Sequence, residues 1–406
     1  MRCPRCSSLV TPDLVTCPAC GAKLGEQAAG TAQGGSLLDR YRTQIEHDQA
    51  SWRSQTFGSA AASGTPGPDL GKPGGDLRLD IPSLERTAAS EVTLEVDALE
   101  FVNFLLLHAG FSPFRVLKVG SSSADGLAGA RLCVGLSPEL AQKVSVPLAD
   151  LGKGGELEPP VLSPDYERFL ALDEAVRGQL DVEVLYEDTP LASRTLPVTV
   201  QTPNEWINMP GVEAALAGVV TPNAPAVSDL VGDLHGDFVA YQDGNRERIV
   251  REIAEVYEGI RRLGLQYVGV PPSFEGTGQK VLYPDEVIGG KRGCCIDIAT
   301  LTAAILERVG YNPLLVMVSG HAYSGVWTGE IRAKRPIIRE ADVVKQAVAE
   351  GDLLVWNSTT YFDRQGDDSI GAAIEIGTRM LEELQYVLDI AACRQHGFKP
   401  VPRRSA

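Results

Sequence analysis

The hydrophobic pattern of this chain changes period near residue 200, and no other feature limits its fold as strongly. Between about Glu91 and Val200, short apolar runs are separated by Gly, Pro, Ser and Asp: "VTLEV", "FVNFLLL", "FRVLKV", "ARLCVGL", "KVSVPL", "LDVEVLY" and "TLPVTVQ". Partial alternation of this kind indicates strands, whose successive side chains point to opposite faces. Seven such runs at this spacing predict an all-β sandwich of immunoglobulin-like type over residues 91–200. Cys133 lies inside one run and is expected to pack as a small apolar residue.

Beyond about Thr202 the period becomes mixed. "RERIVREIAEVYEGIRRLG" sets Ile249, Ile253, Val256, Tyr257 and Ile260 on one helical face. "CIDIATLTAAILERVG" sets Ile298, Leu301, Ala304, Ile305 and Val309 in helical register and stops at Gly310. "PLLVMVS", "AYSGVW" and "LLVWNSTTYF" predict strands, with Trp327 and Trp356 expected in the core. "AAIEIGTRMLEELQYVLDIAACR" begins as helical turns and continues as strand or helix. Residues 201–406 therefore form an α+β domain.

The rest of the chain differs in kind. Residues 27–90 are rich in Gly, Ala, Ser and Pro and too poor in large apolar residues for a core, so they predict a flexible linker. Within it, "SLLDRYRTQIEHDQASW" carries a short, weakly amphipathic helical pattern. Residues 1–26 hold Cys3, Cys6, Cys17 and Cys20 as "CPRC" and "CPAC", ten residues apart. Two such knuckles complete a closed tetrahedral thiolate site, which predicts a zinc ribbon with one structural Zn2+. So short a segment cannot fold on apolar burial alone, and the metal would supply the difference.

Charge and hydropathy exclude some functions. A net charge of −16 argues against a nucleic-acid partner, which would call for a basic patch. No apolar run is long enough to cross a bilayer, and the N-terminus lacks a signal-peptide core. A cytoplasmic protein without membrane contact is the expectation. In a reducing compartment the eight cysteines point to metal or catalytic chemistry rather than disulfides. With few basic residues (Arg2, Arg5, Lys23), the ribbon is at least as suited to a protein partner as to nucleic acid.

Within the α+β region, "RGCCIDIATL" places Cys294 and Cys295 at the start of a predicted helix. The helix N-terminus favours a thiolate. His321 follows in "SGHAYSGVW" and Asn357 in "LLVWNSTTYF". An imidazole supplies the base that a thiol nucleophile needs, and Asn357 could hold the ring by one nitrogen. The order "G-C-C-I-D-I-A-T-L … G-H-A-Y-S-G-V-W … W-N-S-T" resembles the transglutaminase-like branch of the papain-like fold. That family reads G-x-C-x-D/E-x-A, then H-A-W or a close variant, then D-x-T. Register on Gly293, Asp297 and Ala299 sets the family nucleophile on Cys295, the base on His321 and the third position on Asn357, where most relatives carry Asp. Tyr323 stands where relatives often have an aromatic residue. From about Val102 to Pro402 the chain also looks like a bacterial β-domain plus transglutaminase-like module found fused to some superfamily-one helicases. No helicase nucleotide-binding motif is present here.

The resemblance implies a thiol-dependent acyl-transfer enzyme, a cysteine peptidase, amidase or transglutaminase, acting on a protein or peptide substrate. Gln279 in "GTGQKV" is a candidate oxyanion donor together with the Cys295 amide. Asp297 is expected as a first-turn acid favourable to the helix dipole. The competing expectation is a catalytically inactive protein-binding adaptor.

Overall fold

The structure is a computed structural model and describes residues 92–123, 125–268, 279–330, 333–362 and 369–403. The zinc-ribbon cysteines and the short helical pattern of the linker lie outside the described residues.

The first unit opens with β1 (Val92–Ala98) and β2 (Phe101–Val102), followed by helix α1 (Phe104–His108). Strands β3 (Phe114–Ser121), β4 (Ala130–Ser137), β5 (Val144–Pro147) and β6 (Gly154–Glu156) follow. A short helix, α2 (Tyr166–Leu170), leads into the long hairpin β7 (Val176–Tyr186) and β8 (Thr189–Val200). The strands form two sheets, ordered β1-β3-β6 and β2-β8-β7-β4-β5.

Two expectations fail here for local reasons. "FVNFLLL" is a two-residue strand and then a helix, because the Asn103 side chain accepts from the Leu106 amide and caps α1. A wholly apolar run carries no period to reveal this. Cys133 does not pack inside; Leu132 and Val134 take the core face of β4, and Cys133 points the other way towards Ser145 on β5.

The second unit begins with β9 (Glu205–Trp206), α3 (Pro225–Gly232) and α4 (Arg246–Arg262). The predicted face of α4 is its buried face, from Ile249 to Ile260. Each such side chain contributes about 1.5–3 kcal/mol relative to exposure. Short strands β10 (Gln266–Tyr267), β11 (Gln279–Lys280) and β12 (Arg292–Gly293) surround α5 (Pro284–Gly290). Then comes α6 (Cys295–Arg308), buried on nearly every side. Its Thr300 and Thr302 hydroxyls donate to backbone carbonyls of the preceding turn, so the buried polar groups are satisfied. Gly310, at φ +95°, lets the chain turn away after the helix.

The remaining elements are β13 (Pro313–Val318), β14 (His321–Trp327), β15 (Ile337–Ile338), α7 (Ala341–Glu350), β16 (Leu353–Trp356), α8 (Ile370–Met380), β17 (Leu384–Asp389) and α9 (Ile390–Gln395). The five strands form one antiparallel sheet, ordered β15-β17-β13-β14-β16. Every residue of β13 is buried because the sheet is covered on both faces. Leu315 and Met317 join the core shared with α6, whereas Leu314, Val316 and Val318 join a second cluster with Val344 and Ala347 of α7. The two units are also tied by polar contacts. Asn103 Nδ2 donates to the Glu205 carbonyl at 2.8 Å, and His108 Nε2 lies 2.9 Å from the Lys399 carbonyl.

Candidate active site

Cys295 is the first residue of α6, and Cys294 is its N-cap. The turn is fixed by Asp297, which is buried and accepts from the Cys294 amide through Oδ2 and from the Leu282 amide through Oδ1, both at 2.8 Å. Asp297 thus does more than face the helix dipole: it anchors the segment leading into α5 to the turn that carries the thiol. Gly293 fits here because a Cβ would come within 3.1 Å of the Asp297 Cβ. Burial raises the Asp297 pKa, against the pull of the two amides.

His321 opens β14, and β14 pairs with β16, Ser324 opposite Trp356. Asn357 follows β16 directly and precedes a 3-10 turn over Ser358–Phe362. It is therefore at the strand end rather than within the strand. Asn357 Oδ1 accepts from the Thr359 amide and hydroxyl at 3.0 Å each, and lies 3.0 Å from His321 Nε2. A backbone N–H can only donate, so this oxygen is fixed as the acceptor. Nε2 must then carry the ring proton, which leaves Nδ1 of the neutral imidazole free to take a proton from sulfur.

Asn357 is itself held from behind, its amide donating to the Ala373 carbonyl of α8 at 2.9 Å. Tyr323 lies on the same strand face as His321, with ring centroids 6.0 Å apart, and its hydroxyl donates to the Gly377 carbonyl. Trp327 and Trp356 are both buried and donate to Asp389 and Tyr361, so both pack in the core.

The electrostatics separate the two thiols. A hydrogen bond from Cys294 lowers the Cys295 pKa; burial opposes it, and His321 and the Ala322 amide lower it further, to about 4. The Cys294 thiol is pushed up, first by its bond to Cys295 and then by burial and the Asp297 charge. Burial pulls the His321 pKa down, but its interactions with Cys295 and Asn357 outweigh this, and the net shift is upward. Both shifts favour the thiolate–imidazolium pair over two neutral side chains.

The structure thus brings Cys295, His321 and Asn357 together. The backbone of Gln279 pairs with Trp206 in the two-stranded β9–β11 ribbon. Among the described residues the Gln279 side chain makes no hydrogen bond, and the adjacent Lys280 reaches towards Asp173 and Glu174 of the first unit. A residue that the motif pattern missed lies near the turn that carries the thiol. Tyr267 is opposite Gly293 in the β10–β12 pair, and its pKa is raised, first by burial and then by the charge of Cys295. Its only sequence signal is an aromatic residue left exposed in "LQYVGV". Among the described residues no group of His, Cys, Asp and Glu side chains is arranged to hold a metal ion.

Residues 245–326 match the family model of a transglutaminase-like domain. The matched span runs from the N-cap of α4 into β14, so it contains Cys295 and His321 and ends before Asn357. Among solved structures, the chain is similar to a Parabacteroides distasonis protein described as a "putative protease", at 13% identity over 61% of this chain and 67% of that one. The TM-score is 0.19, a likeness too slight to bear on the fold. No curated protein matches the chain. The α+β unit therefore carries, over residues 245–326, a match to a transglutaminase-like domain in which the paired thiol and imidazole both lie.

Proposed function

We propose that this chain is a thiol-dependent acyl-transfer enzyme acting on protein or peptide amides, with Cys295 as nucleophile, His321 as base and Asn357 as the group that orients the ring. The observation that carries this reading is the His321 ring, 3.0 Å from Asn357 Oδ1, together with Cys295 at the first position of α6, where the imidazole helps lower the thiol's pKa. The Cys295 sulfur attacks the amide carbon, a C–S bond forms, and the carbonyl π electrons move to oxygen. The His321 imidazolium then gives its proton to the departing amine as the C–N bond breaks. Water, deprotonated by the neutral imidazole, releases the acid and restores the thiol. An amine in place of water would give transamidation from the same thioester.

Hydrolysis is the outcome we favour, because water is always present and Asn357 matches the third residue of papain-like peptidases. The test is peptide or ammonia release from a denatured protein substrate, with Cys295→Ala as control. Loss of about 10²-fold or more in His321→Ala is the expected general-base contribution. Full activity in Cys295→Ala would exclude the enzyme reading. Peptide held uncut by wild-type protein with an unreactive Cys295 would favour the inactive adaptor instead.

A further inference from the structure

We infer that Arg403 is a positioning residue for the Cys295 thiol, acting through a chain of hydrogen bonds that ends on the Cys294 amide; its part in the reaction rests on the acyl-transfer reading above. The Arg403 guanidinium lies over the Tyr283 ring, 4.1 Å from the centroid. Its Nη2 donates to Glu286 Oε1 at 2.9 Å and to Asp285 Oδ2 at 3.0 Å. The other oxygen of Glu286 accepts from the Tyr283 amide at 2.9 Å, so this carboxylate bridges Arg403 and the N-cap of α5. The neighbouring Leu282 amide donates to Asp297 Oδ1, and the Cys294 amide donates to Asp297 Oδ2, both at 2.8 Å. Glu286 and Asp297 are therefore two carboxylate bridges in series, from Arg403 to the residue before the thiol.

The contacts make a strut rather than a loose surface ion pair. The Arg403 side chain is 18% exposed and faces two acids and an aromatic ring at once. A planar guanidinium fork can do this, and a lysine ammonium cannot copy it. The segment behind Arg403 is fastened separately. Val401 is buried, and its amide donates to the Gly218 carbonyl at 2.8 Å. The Phe398 ring packs on Phe111 of the first unit, with centroids 6.0 Å apart. Arg403 thus meets α5 from a fixed support. Without it, Asp285 and Glu286 would stand as adjacent like charges in the first turn of α5, and Glu286 would be free to leave the Tyr283 amide. The Leu282 amide would then lose its placement on Asp297, and Asp297 its hold on the turn that carries the thiol. Misplacing a reacting group by about 1 Å costs up to about a hundredfold in rate.

The test pairs amide exchange with acylation, both on the full chain, and thermal melting confirms folding of each variant. Arg403→Met keeps an apolar stem on the Tyr283 ring and removes the charge. Hydrogen exchange at the Leu282 and Cys294 amides should quicken in Arg403→Met well beyond any change at the amides of α4. Acylation of Cys295 by p-nitrophenyl acetate, with Cys295→Ala subtracted, should fall about two- to thirtyfold. Arg403→Lys should recover part of that loss, because the charge stays and the fork is lost. Adding Arg403→Met to Asp297→Asn should cause little further loss, because the chain is already broken at Asp297. Unchanged exchange at the two amides in Arg403→Met would overturn the inference. So would an equal rise at the α4 amides, which marks lost stability alone, or additive losses in the double variant, which mean a route that bypasses Asp297. Exchange in Arg403→Met decides the matter even where Asp297→Asn fails to fold. Wild-type protein never acylated at Cys295 would remove the acyl-transfer reading and leave the exchange result to judge the strut.

Discussion

At the residue scale, adjacent cysteines have opposite environments because one backbone step separates a capping position from a helical one. Cys294 is buried and turned towards its own helix, while Cys295 faces His321. The signs then fix a pH profile. The Cys295 folded pKa is depressed to about 4, so thiolate is present above that pH and is lost as pH falls through it. The His321 pKa is raised, so imidazolium persists above the ordinary histidine range and is lost as pH rises through the folded value. Iodoacetamide labelling followed by peptide mapping should modify Cys295 selectively below pH 7, with little at Cys294. His321→Ala should move the acid limb of that profile to higher pH. Cys294→Ala should do so too, because the Cys294 hydrogen bond is the first cause of the depression. Equal labelling of the two thiols would contradict the assignment. Asn357→Asp should keep activity and shift the basic limb upward, since a carboxylate stabilises imidazolium more than an amide does. A basic limb unmoved in that variant would count against contact between the two side chains in the working enzyme.

At the element scale, the site depends on how closely two helices approach the sheet. Gly377 of α8 lies against the β16 end, where a Cβ would come within 2.8 Å of the Trp356 Cα and 3.0 Å of the Asn357 nitrogen. Those atoms are backbone and cannot rotate away. Gly377→Ala should therefore lower the melting temperature: overpacking of about 1–3 kcal/mol opposes a helix-propensity gain of about 1 kcal/mol. It should also reduce activity by moving Asn357. A variant with a higher melting temperature and full activity would show that α8 can withdraw freely. In α6 the corresponding test is Asp297→Asn. Its amide group would face a backbone N–H that now donates to carboxylate, leaving a buried donor unpaired at a cost of about 1–3 kcal/mol. Chemical denaturation of the two proteins measures that difference directly.

At the scale of the whole molecule, one continuous set of buried side chains runs through both units. Val401 donates to the Gly218 carbonyl, and His108 of the first unit meets the Lys399 carbonyl, so the end of the described chain closes over the junction. The N-terminal cysteines belong to this scale as well. We propose that Cys3, Cys6, Cys17 and Cys20 hold one structural Zn2+ and present a ribbon to a protein partner. Metal analysis should find one zinc per chain, released by a thiol-modifying reagent and absent from Cys17→Ser. Thioester formation at Cys295 should persist in that variant, because those four positions are remote in sequence from the thiol. Metal content unchanged in Cys17→Ser would exclude that ligand set.

The sequence alone determined whatever depends on local period and short spacing. It set the buried face of α4 and the helix that begins at Cys295 and stops before Gly310. These are legible because neighbours along a helix or strand share one environment, and a repeat of 3.6 or 2 residues records it. Three things were decided only by tertiary structure. β14 and β16 became neighbours although β15 and α7 lie between them in sequence, which set His321 against Asn357. The apolar run after Asn103 became helix once its cap was made. Tyr267 came opposite Gly293, two residues before the thiol, through a parallel strand pair of two residues, and Gln279 paired with Trp206 in a separate ribbon. Long-range pairing is chosen by how whole faces of the chain bury one another, and no window of neighbouring residues contains that information.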